Sequence, residues 1–145
     1  MKQKNSVPII EIFSSRVSFV RFESSLTKLA YNLFLQLKKP QSAVALYLLS
    51  DAEMRALNYV TRGKNIPTNV LSFEAPHDFV LPSLPKGVRY WGEVYCAPSF
   101  IRVHKQDLHH MMIHGILHLL GYAHEQKSDR IVMERLEDIL LRARQ

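Results

Sequence analysis

Three histidines in one short run carry the clearest chemistry in this sequence. The run is His114-Gly115-Ile116-Leu117-His118-Leu119-Leu120-Gly121-Tyr122-Ala123-His124. Two histidines four residues apart on a helix share one face, about one turn apart, so both can reach one metal ion. Gly121 is placed to end that helix, because glycine takes the left-handed conformation that stops a helix and swings the chain back. The turn can bring His124 round as a third nitrogen ligand. Three protein ligands leave a fourth zinc position for water, the layout of a catalytic site and not of a closed structural one. A rival set of His110, His114 and His118 fails on length. Along a helix His110 and His118 lie about 12 Å apart, too far for one ion with bonds of about 2.1 Å.

The spacing H-x-x-x-H-x-x-G-x-x-H matches the metzincin peptidases in every position but one. Those enzymes place a glutamate directly after the first histidine, as the base that takes the water proton. Here that position is Gly115. The metal cage is kept and the peptidase base is missing, which argues against a protease. Helically spaced histidines are more often surface or core residues than ligands. Here the glycine between the second and third tips the reading toward metal. His104, His109 and His110 are expected on a solvated face or at the mouth of the site. His77 lies in a Pro-rich loop with no visible role.

Composition limits what surrounds this site. A chain of 145 residues suits one domain with one core, 1–145. With 47% hydrophobic and 22% charged residues, it reads as an ordinary globular sequence and not a disordered one. The net charge of +6, from 19 Lys and Arg against 13 Asp and Glu, describes either a merely basic surface or one that meets a polyanion. Beside a hydrolytic metal site, it favours a phosphodiester substrate. Cys96 is the single cysteine, so no intramolecular disulfide is possible. No apolar run is long enough for a signal peptide or a membrane span, and a reducing cytoplasm is the expected location.

The elements that must position the histidines follow from pattern. Ile9 to Phe13 reads as a strand. Ser24 or Ser25 is placed to cap a helix running to about Lys38, with Phe22, Leu26, Leu29, Ala30, Leu33 and Leu37 on one face. Ala43 to Leu49 is an apolar run of strand length. Ser50 and Glu53 form a capping-box pattern opening a second helix, which Gly63 closes. Asn69 to Phe73 and Tyr90 to Cys96 read as strands, joined by a Pro-rich loop over His77 to Lys86. About Lys105 to Leu120 forms the metal helix. Ser128 opens a last helix, with Ile131, Val132, Leu136, Ile139 and Leu140 on its buried side. The order βαβαββαα predicts an α/β (α+β) layered domain, a small sheet packed with helices.

Other residues have chemical potential. Arg62 ends the second helix, where it can either complement the helix dipole or reach a scissile phosphate. Asn69 and Ser72, in Pro67-Thr68-Asn69-Val70-Leu71-Ser72-Phe73, can orient a substrate or simply cap and turn. Glu93 is the one carboxylate in a strand-like run, where alternation can leave it in solvent. Met133 resembles the methionine beneath metzincin metal cages but reads more simply as core.

Three blocks together resemble the YbeY endoribonucleases, the rRNA maturation factors. The histidine run is similar to the family's H-G-x-L-H-L-x-G-Y-D-H. Leu57-Asn58, Arg62-Gly63-Lys64 and Pro67 to Phe73 form the second block. Gly92-Glu93, Met133-Glu134, Glu137, Ile139 and Leu140 form a weaker third. The resemblance spans about residues 45 to 142. It implies a zincin-like fold with a mixed sheet, one zinc ion on His114, His118 and His124, and catalytic roles for His114, His118 and Arg62. It implies substrate contacts at Arg62, Asn69 and Ser72. It further implies a zinc-dependent single-strand endoribonuclease in rRNA maturation, at the 3′ end of the small-subunit RNA, and in ribosome quality control. Its partners would be ribosomal RNA, a small-subunit ribosomal protein and an Era-type GTPase. The sequence departs from the family at Ala123, where an aspartate is usual, at Glu93, where the family has aspartate, and in a short segment from Cys96 to His114. Two other readings stay open: a ribosome-assembly RNA-binding factor with weakened catalysis, and a metal-dependent hydrolase of another substrate.

Overall fold

The computed structural model describes residues 6–122 and 127–143. Four strands form one sheet: β1 (Ile9–Ser14), β2 (Ser42–Leu48), β3 (Val70–Glu74) and β4 (Arg89–Cys96), in the order β1-β2-β4-β3. β1, β2 and β4 run parallel, and β3 is an antiparallel edge strand on β4. The sheet is therefore mixed, as expected.

Strand alternation sends Val44, Leu46, Leu48, Val94 and Cys96 to one face, and helices bury that face. α1 (Glu23–Gln36) contributes Leu26, Leu29, Ala30, Leu33 and Phe34. α4 (Leu108–Leu119) contributes Met112, Ile113, Ile116 and Leu117, all fully buried. α5 (Lys127–Ala143) packs on α4 and adds Met133 and Leu140. A smaller cluster forms where Met54 of α2 (Asp51–Arg62) meets Leu71 and Ala97. No described helix is long and apolar enough to cross a membrane.

Several details differ from expectation. Neither Ser24 nor Ser25 caps α1. A 3-10 segment, Val17–Phe22, runs straight into the helix with Phe22 already helical, so no extended cap residue exists. That helix also stops at Gln36, short of Lys38.

The segment from 105 to 120 is not one helix. A short α3 (Pro98–Val103) precedes it, Lys105 takes a positive φ of 57°, and Asp107 caps α4 by accepting from the His110 N–H. The order is thus βαβαββααα.

On α5 the buried stripe is Met133, Leu136, Glu137 and Leu140, whereas Ile131, Val132 and Ile139 are exposed. The apolar count misplaces the phase of this helix, because its inward face includes a carboxylate.

Candidate functional site

α4 lies close against β3 and β4, and Gly115 makes that possible. A Cβ there would sit 2.5 Å from Val94 Cγ1 and 3.0 Å from both Ser72 Oγ and Val70 Cγ2. Ser72 Oγ donates to the Gly115 carbonyl at 2.8 Å, tying helix to strand. The residue after the first histidine is therefore a packing glycine, which explains its identity in terms the sequence did not offer.

On this braced helix, His114 and His118 are half-buried. Their Nε2 atoms converge to 3.0 Å, with the rings edge to face at 62°. Two nitrogens on one tetrahedral zinc lie about 3.4 Å apart, from bonds of about 2.1 Å. The pair therefore fits a single ion. Just past His118 the helix ends as expected. Gly121 takes φ 93°, its N–H meets the His118 carbonyl at 3.1 Å, and the Tyr122 N–H meets the Leu117 carbonyl at 3.1 Å. Ala123 and His124, the expected third ligand, lie outside the described residues. Among the described residues, no three His, Cys, Asp or Glu side chains cluster to hold a metal.

Behind the pair stands Glu137, only 6% exposed. Its Oε2 meets His110 Nε2 at 2.5 Å, and its Oε1 lies 4.0 Å from His114 Nδ1. Oε1 has no hydrogen-bond partner within the described residues. A buried carboxylate is costly unless paired, so its place beside two imidazoles is informative. A histidine that binds metal through Nε2 carries its proton on Nδ1, and a carboxylate on that side fixes the tautomer. The donor set thus fits a metal site with a supporting acid. Sequence reading passes over Glu137 as a site residue and puts His110 on a solvated face or at the mouth. The available signal is one acid within the stripe Met133, Leu136 and Leu140.

The second wall comes from α2 and the loop after it. Ser50 and Glu53 form the full capping box, and Gly63 ends the helix at φ 72°. The Ser15 and Ser50 hydroxyls, bonded to the Glu53 carboxylate, hold its pKa below the usual glutamate value. Buried Asn58 donates to the Ile66 carbonyl at 2.9 Å and so pins the loop. Arg62, at the helix end, is exposed. It joins Thr68, Asn69, Val70, Ser72, His114 and His118 around a cavity of about 350 Å³.

Asn69 is fully engaged there. Its Oδ1 accepts from the Val70 N–H at 2.7 Å, and its Nδ2 donates to Gln106 Oε1 at 3.1 Å. Asn69 and Ser72 thus line the cavity while also bracing it.

The remaining candidates sit elsewhere. Glu93 is half-buried on the sheet face opposite α4, where it accepts from the Tyr95 hydroxyl at 2.9 Å. Burial, then that bond and the charge of Glu93, push the Tyr95 hydroxyl's pKa up. Met133 is plain core. His104 stacks on Phe100, His109 Nε2 meets Ser25 Oγ at 2.8 Å, and His77 is exposed.

Against known proteins, residues 14–145 match the family model described as Endoribonuclease YbeY. The chain belongs to the YbeY family. A relative named Endoribonuclease YbeY from Chelativorans sp. (strain BNC1) is 39% identical over 111 residues, covering 71% of this chain and 66% of that protein. Another of that name, from Methylococcus capsulatus (strain ATCC 33009 / NCIMB 11132 / Bath), is 37% identical, covering 73% of each. The match spans just under two thirds of the Chelativorans protein and 63% of the one from Alkalilimnicola ehrlichii (strain ATCC BAA-1101 / DSM 17681 / MLHE-1). The solution structure of TM1509 from Thermotoga maritima superposes with a TM-score of 0.60 at 23% identity, over 91% of this chain and 89% of that one. That likeness shows a shared fold. YbeY membership agrees with the resemblance carried by the histidine run and the Arg62 block.

Proposed function

We propose that this chain is a zinc-dependent endoribonuclease that cuts single-stranded RNA. Its substrate is ribosomal RNA, and its work is maturation of the small-subunit 3′ end and ribosome quality control. One observation carries the reading: two histidine Nε2 atoms 3.0 Å apart face a cavity that Arg62 also lines. His114 and His118 would hold the ion, with His124 as the third ligand. A zinc ion held there would supply Lewis acidity and lower the pKa of a bound water toward about 7.

The chain's own residues do the rest. Arg62 presents a planar fork of N–H donors that can hold phosphoryl oxygens as negative charge builds on them. Glu137, whose Oε1 lies 4.0 Å from His114 Nδ1, places negative charge behind that ring and so favours a proton on Nδ1. Ser72 and Asn69 fix the wall against which the RNA backbone lies. No glutamate base follows His114, which suits attack at phosphorus better than peptide hydrolysis. A cytoplasmic location, and partners in a small-subunit ribosomal protein and an Era-type GTPase, belong to the same reading.

The test is single-turnover cleavage of labelled single-stranded and duplex RNA by metal-stripped and zinc-reloaded protein. Cleavage confined to the zinc-loaded protein and the single strand, and lost in His114→Ala, is expected. Equal cleavage by stripped protein or by His114→Ala would refute it.

A further inference from the structure

A larger cavity lies outside the histidine site. It measures about 520 Å³ and opens between the 3-10 segment, α3 and the start of α4. That volume is within the range of small-ligand pockets, roughly 300–1,000 Å³. Phe19, Phe22, Pro98, Ile101 and Leu108 supply apolar surface, while Arg21, Arg102, Ser18, Ser99 and Gln106 supply polar groups. Both arginines are exposed, and neither has a carboxylate within ion-pair distance among the described residues. Apolar surface with two unneutralised guanidinium groups suits a flat base attached to a phosphate.

Gln106 links this cavity to the histidine site. It lines the large cavity, and its Oε1 accepts from Asn69 Nδ2, which lines the other. A strand crossing from one to the other would pass over Asn69 and Gln106. Arg21 also lines the neighbouring cavity with Ser24, Ser25 and Lys28, which extends the cationic surface beyond the pocket.

We infer that this cavity is a nucleotide subsite, in which Arg102 and Arg21, whose guanidinium lies over the Phe22 ring at 4.8 Å from its centroid, hold backbone phosphate of the RNA strand outside the cleavage position and a base rests against the apolar lining. The inference builds on the endoribonuclease reading and adds residues that the histidine run and Arg62 block do not include. It makes the enzyme a reader of several nucleotides and not of the scissile bond alone. The +6 charge then has a specific location to act.

The test is equilibrium binding of a labelled single-stranded oligoribonucleotide to the full chain across a salt series, for wild type and Arg21→Gln/Arg102→Gln. Both positions are exposed, and matched thermal unfolding would verify that the variant folds. Removing one phosphate-binding cation should lower the log–log salt slope by about 0.7, so the double variant should fall by about 1.4. Affinity at moderate salt should drop by roughly tenfold or more, as expected for charged hydrogen bonds. Arg21→Lys/Arg102→Lys, which keeps the charge, should retain most of the slope. If wild type binds and the double variant binds with the same affinity and slope, the subsite is wrong and the endoribonuclease reading stands. If wild type binds no RNA at any salt, both fall together.

Discussion

α4 and α2 both deliver side chains to one cavity, but they are held in place by different means. α4 is embedded: Met112, Ile113, Ile116 and Leu117 have no exposure, Gly115 packs on Val94, and Ser72 ties it to β3. α2 buries only Met54 and Asn58 and is fixed at its ends by a capping box and a left-handed glycine. The histidines therefore sit on a helix that cannot shift without disturbing the core, whereas Arg62 sits on one stabilised by local contacts. Ligands that must meet one ion need fixed geometry; an arginine that follows a phosphate tolerates an exposed position. Substitutions on the two helices should accordingly separate metal binding and stability from chemistry.

Arg62→Ala should have the largest effect and break only one side of this contrast. Removing an interaction made in the transition state commonly costs about 2.7–4 kcal/mol, a hundredfold or more in rate. A helix-end cation contributes only about 0.3–1 kcal/mol to stability. Single-turnover cleavage should collapse, with zinc content and unfolding midpoint nearly unchanged. Arg62→Lys should also cut poorly, because it keeps the charge but not the fork. Wild-type cleavage by Arg62→Ala would reduce this residue to a dipole partner.

Gly115→Ala should do the opposite. Alanine gains up to about 1 kcal/mol in helix propensity over glycine. Overpacking against Val94 and Val70 typically costs about 1–3 kcal/mol. The clash should win by roughly 1 kcal/mol, with lowered zinc affinity because α4 is pushed off β3. Chemical denaturation and metal titration would measure both, and an alanine variant more stable than wild type would contradict the packing account.

Glu137→Gln keeps the shape and removes the charge beside His110 and His114. Supporting carboxylates of this kind are worth about 10–100-fold in metal affinity. Titration against a competing chelator should show a loss in that range, with the ion still bound at the same histidines. Unchanged affinity would leave Glu137 as a partner of His110 alone.

Ser50→Ala should be the mildest, about 1 kcal/mol from removal of the cap of α2. Its stability loss should come with a modest fall in cleavage and no change in zinc affinity. A fall in zinc affinity would show that α2 and α4 are not independent.

Much of this arrangement is legible in the residues. The capping box at Ser50 and Glu53, the glycines ending α2 and α4, and the apolar run of β2 are local signals, and each lies where the pattern puts it. The pairing of His114 with His118 follows from helical spacing alone. What escapes is tertiary. Gly115 looks like a missing base because only the approach of Val94 shows what the glycine is for. Glu137 enters only as a residue of the third block, because nothing in the helix pattern shows that His110 and His114 face it. Ser25 looks like a cap until the 3-10 segment before it removes the need for one.

The most direct test of the account is a crystal grown with zinc and measured across the zinc absorption edge. One anomalous peak is expected, about 2.1 Å from Nε2 of both His114 and His118, with His124 as the third ligand. A peak at His104 or His109 instead, or His114 and His118 with no ion between them at saturating zinc, would contradict the metal site on which the proposed chemistry rests.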